Sequence, residues 1–116
     1  MTVPKAIMKC IQIVALSAFI SPSFAHAESV SVKYRGVVEL APFSCQWISR
    51  SSLVERLCYD STEQYVIVSL NGTYYHYCEV PSYVVSDWKG ADSMGRYYNS
   101  QIKGRYDCRI SKVPSY

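Results

Sequence analysis

The chain has 116 residues, a formal net charge of +3 and a hydrophobic share of 49%, with eleven tyrosines among its aromatic residues. That length suits one small domain with little core to spare. Its longest apolar run, Ile11 to Ile20, falls short of the roughly 20 residues that span a bilayer, and no charge run marks a polybasic or acidic tail.

Residues 1–27 combine a short basic start at Lys5 and Lys9, the apolar run, and the small-x-small site Ala25-His26-Ala27. This is the pattern of a cleavable signal peptide and implies a periplasmic or secreted protein. Cys10 stands at the start of the apolar run rather than at its end, so neither a lipid anchor nor a stable membrane anchor is expected after cleavage. Removal would leave 89 residues with ten basic against nine acidic side chains, a charge near +1. Such balance disfavours a nucleic-acid partner, whose electrostatic footprint is a basic stripe. One cluster, Arg96, Lys103, Arg105, Arg109 and Lys112, gathers towards the end. Four cysteines remain (Cys45, Cys58, Cys78, Cys108), and an even number in a short exported chain reads as two disulfides. With no C-x2-C spacing and only His76 beyond residue 27, neither a metal site nor another cofactor is expected.

Residues 28–50 form an N-terminal extension in which Val30–Tyr34 and Val37–Leu40 suit short strands of unread pairing. Leu53–Tyr59 is expected as a strand, Asp60–Glu63 as a turn, Tyr65–Leu70 as a β-branched strand and Thr73–Cys78 as its partner. Asn71-Gly72 specifies the hairpin, because a two-residue type I′ turn places both central residues at positive φ. The expected fold is α+β: a three-stranded antiparallel meander followed by one or two helices, stapled by disulfides. The helices are Ser82–Trp88 and Ser93–Lys103, with Gly104 as the stop and Asp92 or Ser93 as the cap. The turn sets Val66, Val68, Tyr75 and Tyr77 on one face and Tyr65, Ile67, Tyr74, His76 and Cys78 on the other. Both faces are apolar, and the Ile67 face is the weakly favoured seat of the helices. Outer strands of a meander lie near 10 Å apart, which disfavours Cys58–Cys78 paired with Cys45–Cys108. Of the two remaining connectivities, Cys45–Cys58 with Cys78–Cys108 is slightly favoured.

Tyr59-Asp60, the hairpin with Gly72, Tyr75-His76-Tyr77, the Val80-Pro81 exit, and Ala91 to Asn99 with Ile102 together resemble the KTSC domain, a family named from the C-terminus of some lysyl-tRNA synthetases. The resemblance spans about residues 51–106; it assigns a domain at 51–108 and a tail at 109–116. It implies a small domain, found fused to synthetases or alone in bacterial proteins, for which RNA binding is a suggested role. The export signal and the four cysteines depart from a typical member and favour adaptation to the cell envelope.

Surface tyrosines can act as a stacking platform for bases, sugars or peptide side chains, although packing is the favoured account of Tyr75 and Tyr77. The candidate binding residues are Tyr75, Tyr77, Trp88, Arg96, Tyr97 and Tyr98, with Trp47 as a substitute for Trp88. His76 and Cys78 lie two apart on a strand without an orienting third group, so no catalytic pair is expected. The expected function is a non-catalytic binding or accessory module of the envelope gripping a protein or glycan. The second reading is an RNA-binding module in which Tyr75 and Tyr77 stack bases and Arg96, Lys103 and Arg105 meet phosphates.

Overall fold

A computed structural model describes residues 27–116; all but the last residue of the expected signal segment lies outside that range. Six strands, β1 (Ser29–Val32), β2 (Gly36–Glu39), β3 (Ser44–Trp47), β4 (Val54–Asp60), β5 (Tyr65–Leu70) and β6 (Thr73–Tyr77), precede two helices, α1 (Ser82–Gly90) and α2 (Met94–Tyr97). A π-helical turn, Tyr98–Ile102, continues α2. The strands form one mixed sheet in the order β2-β1-β6-β5-β4-β3. The α+β class therefore stands, but the expected three-stranded sheet is corrected to six strands, with β4, β5 and β6 as its antiparallel middle. The extra strands come from residues 28–50: β3 flanks β4 antiparallel, while the β1–β2 hairpin joins β6 through a single parallel bridge, Val32 to Tyr74.

The middle follows its local sequence closely. Asn71 (φ 48°) and Gly72 (φ 87°) take the two positive-φ positions of the turn, and Leu70, Val68 and Val66 face Thr73, Tyr75 and Tyr77. Asp60 closes the preceding turn by accepting from the Thr62 amide at 3.0 Å.

Every residue of β5 is buried, because both faces of the sheet are covered. One core gathers Val54, Leu57, Val66 and Val68 beneath Val84, Val85, Trp88, Met94 and Ile102. The second gathers Cys58, Tyr65, Ile67 and Cys78 with Val32, Val38 and Leu40. The helices thus cover the Val66 face, not the Ile67 face. Glu79, at φ 56°, redirects the chain after β6, and buried Val80 seats its carbonyl on the Tyr59 hydroxyl at 2.6 Å. With both faces apolar, that turn and not side-chain alternation decides the side.

Trp88 locks the helical layer by donating its indole N–H to the Met94 carbonyl at 3.1 Å. Arg50 reaches the end of α1, donating to the Ala91 and Lys89 carbonyls at 3.0 and 2.5 Å, where a cation complements free carbonyl groups. Ser93 caps α2 by accepting from the Arg96 amide at 3.1 Å. Disulfides join Cys45 to Cys58 and Cys78 to Cys108, the favoured connectivity. Among the described residues no helix is long and apolar enough to cross a membrane.

Candidate binding cleft

A cleft of about 890 Å³ runs beside β6, between that strand and the segment from Asn99 to Arg109. Its floor and walls bring together Tyr75, Tyr77 and Tyr98 with Leu53 and Leu70, and its other side carries Tyr34, Lys103, Arg105, Asp107 and Arg109. Alternation along β6 puts Tyr75 and Tyr77 on the helix-covered face, where neither is fully buried. Their rings therefore pack partly and remain partly open. Tyr77 and Tyr98 share a hydroxyl hydrogen bond of 2.5 Å, and burial, followed by this bond, pushes the Tyr77 phenol far above its usual range. It stays neutral at any physiological pH and acts as a hydrogen-bonding, not a charged, wall.

Trp88 is corrected as a binding candidate. It is fully buried and stacks at 6.0 Å on Tyr98 and 6.3 Å on Tyr97, so it supports the tyrosine layer from beneath. Tyr97 donates to the Val84 carbonyl at 3.4 Å and lies half-buried. Neither Tyr97 nor exposed Arg96 lines the cleft. Trp47 is 68% exposed on the far edge strand, lying over the Arg56 guanidinium at 4.4 Å.

The mouth of the cleft is cationic. Lys103, Arg105 and Arg109 line it, and the Lys33 ammonium sits 5.4 Å from the Tyr34 ring centre and 5.8 Å from that of Tyr75. Asp107 is the single carboxylate in its lining; hydrogen bonds from the Arg109 side chain and amide hold it down to about 2, so it remains ionised and occupied. The contribution of Tyr34 and Lys33 escaped sequence reading. They belong to the β1–β2 turn, which reaches β6 only through the long-range parallel bridge.

At the edge of the cleft His76 faces a buried relay. Arg35 donates to the Tyr65 hydroxyl at 2.9 Å, and that hydroxyl lies 2.6 Å from His76 Nδ1. The Tyr65 hydroxyl therefore links the guanidinium to the imidazole, accepting from Arg35 and sharing one hydrogen bond with His76 Nδ1. Burial, assisted by the Arg35 charge, lowers the His76 pKa below its ordinary 6.5. Cys78 is sealed in its disulfide, leaving no thiol beside the imidazole.

A second hollow, of about 640 Å³, lies by the β4–β5 turn; Glu63, Glu79 and Lys112 line it and no aromatic ring does. The aromatic-cationic combination belongs to the β6 cleft.

A sequence profile of the KTSC domain matches residues 50–106. The crystal structure of a KTSC domain protein from Yersinia pestis is similar at 26% identity and a TM-score of 0.53, over 56% of this chain and 92% of that one. Among curated proteins none matches the sequence.

Proposed function

The chain belongs to the KTSC domain family through residues 50–106, and from that premise we propose that it is a non-catalytic binding module of the bacterial cell envelope, periplasmic or secreted. Its site is the β6 cleft, and its partner is a protein or envelope glycan bearing carboxylates. The observation that carries this reading is the concentration of Lys33, Lys103, Arg105 and Arg109 around Tyr34 and Tyr75 in a chain that is otherwise nearly neutral. Cations set beside partly open rings favour a ligand that combines negative charge with stacking or apolar surface. Two disulfides support an oxidising compartment, and the pattern of residues 1–27 supports export by cleavage after Ala27. The engagement of His76 by Tyr65 and of Cys78 by Cys108 favours binding over catalysis.

A nucleic-acid partner is the second reading, favoured by Lys103, Arg105 and Arg109 beside Tyr75. Ligand identity separates the two, because both readings draw on the same cations, and the steeper salt dependence belongs to the polyphosphate. Titration with a peptidoglycan-derived muropeptide and with oligouridylate, at low and at physiological ionic strength, is the test. The envelope reading expects muropeptide or protein capture that weakens in Tyr75→Ala. Tight oligouridylate binding that falls steeply with salt, with no muropeptide or protein capture, overturns it. The intact mass of the protein from its native host checks export, where loss of residues 1–27 is the expected result.

A further inference from the structure

The family domain, at residues 50–106, contains β4, β5 and β6, and a three-stranded meander has two bare edges. Residues outside that domain cover most of the β4 edge and one position of the β6 edge. β3 pairs along β4, and β1 meets β6 at Tyr74. One disulfide fastens β3, tying Cys45 before the domain to Cys58 within it, while the other ties Cys108, after the domain, to Cys78 just beyond β6. A bare strand edge is a template for another chain, and proteins normally blunt it.

One position on the outer edge of β6 is left open. In a two-residue hairpin Thr73, Tyr75 and Tyr77 face their partners Leu70, Val68 and Val66 as hydrogen-bonded pairs, so Tyr74, His76 and Cys78 turn their backbone groups outward. The Tyr74 carbonyl accepts from the Lys33 amide at 2.8 Å, and the Cys78 amide donates to the Tyr106 carbonyl at 2.8 Å. Between them, among the described residues, the outward N–H and C=O of His76 have no backbone partner. The slot opens into the cleft, which His76 itself lines with Tyr34, Asp107, Cys108 and Arg109. Its rim includes Tyr34, 85% exposed, and beyond Arg109 stands Ile110, 86% exposed.

We infer that the ligand of this cleft is an extended acidic peptide segment that adds to the sheet at His76. Its backbone accepts from the His76 amide and donates to the His76 carbonyl, in the lane that β1 leaves vacant beyond Val32. Its carboxylates complement Lys33, Lys103, Arg105 and Arg109, which outnumber Asp107. Main-chain bonds of this kind supply affinity and the flanking side chains supply selectivity. The inference rests on reading the β6 cleft as the binding site and specifies the partner as protein.

Residue-resolved amide exchange on the disulfide-bonded protein tests it, with a capped hexapeptide of alternating valine and glutamate as the probe. The alternating valine and lysine peptide and oligouridylate serve as controls. Exchange of the His76 amide slows about tenfold or more with the acidic peptide, while Tyr75 and Tyr77, already bonded to β5, change little. His76→Ala, which keeps the amide, retains binding, and a Lys103→Gln, Arg105→Gln double variant weakens it about tenfold. Acidic peptide that perturbs the tyrosine ring signals without protecting the His76 amide overturns strand addition and leaves the cleft as the site. Binding of oligouridylate but not of the acidic peptide, or of neither at millimolar concentration, overturns the inference; the first result overturns the envelope-partner reading as well only when the muropeptide also fails to bind.

Discussion

Two ionisable residues sit where the fold has little room for charge, and both give measurable consequences. Arg56 is buried, donates to the two Glu28 carboxylate oxygens at 2.6 and 2.9 Å, and leaves its Nε without a partner. Glu28 is half-exposed, so Glu28→Gln weakens a solvent-screened pair but leaves the Arg56 charge in its buried site with a poorer partner, and lowers stability slightly. Arg56→Met instead takes the charge and its unpaired Nε out of the buried site and strands no buried charge, because Glu28 remains open to solvent, so it costs less than Glu28→Gln. Urea unfolding of the two variants checks this ranking. His76 acts in the opposite sense to a histidine that gains a partner on protonation. The folded protein keeps its ring neutral, held below 6.5 by burial and Arg35, whereas the unfolded chain takes up a proton near 6.5. Its contribution is therefore whole above that pH and drains away as pH falls through and below it. The thermal midpoint of wild type should drop between about pH 7.5 and 5.5, and His76→Gln should flatten that part of the profile. The sequence shows His76 and Cys78 as neighbours on one face. It does not show Arg35, which comes from 41 residues upstream and reaches Tyr65 by tertiary packing.

At the scale of elements, the hairpin β5–β6 was legible because its register is written in two adjacent residues. Asn71-Gly72 supplies the positive φ values, and strand alternation then assigns every partner. Gly72→Ala, at φ 87°, should cost about 1–2 kcal/mol, since any Cβ is strained there; chemical denaturation reads the loss. Strand spacing disfavoured one of the three disulfide connectivities and left two, and the two bonds formed should differ in strength. Cys78–Cys108 closes a separation of 30 residues and Cys45–Cys58 one of 13, so loop entropy assigns about 3.5 and about 3 kcal/mol respectively. Paired Cys→Ala variants compared in urea test that order. β3 was not legible: Ser44–Trp47 is short and mostly exposed, with no apolar alternation to announce it. The pairing of β1 with β6 was illegible for another reason, because one parallel bridge across some 40 residues leaves no local signature.

At the scale of the whole molecule, a sheet with both faces covered is sustained by two cores, and the larger depends on Trp88. Trp88→Ala opens a cavity beneath Tyr97 and Tyr98 and should cost about 3–5 kcal/mol. Its loss of binding would follow its melting curve, whereas Tyr75→Ala should lose binding with the fold intact; paired melting and titration data separate the two. The cleft likewise belongs to no single segment. Tyr75 and Tyr77 were visible as a pair two apart on one strand face, and the basic residues near the C-terminus were visible as a cluster. Their meeting with Tyr34 and Lys33 required the β1–β2 hairpin to dock against β6. The sequence by itself determined the central hairpin and its register, a helix start at Asp92 or Ser93, the α+β class, the unfitness of a Cys58–Cys78 pair and the family. All of these rest on local backbone preferences, strand geometry or an ordered motif. Only the tertiary structure decided which face the helices cover, that the sheet has six strands, that Trp88 is core, and that one backbone position of β6 stays open. Those outcomes depend on contacts between segments far apart in the chain, where two apolar faces and several short strands are equivalent until packing selects among them.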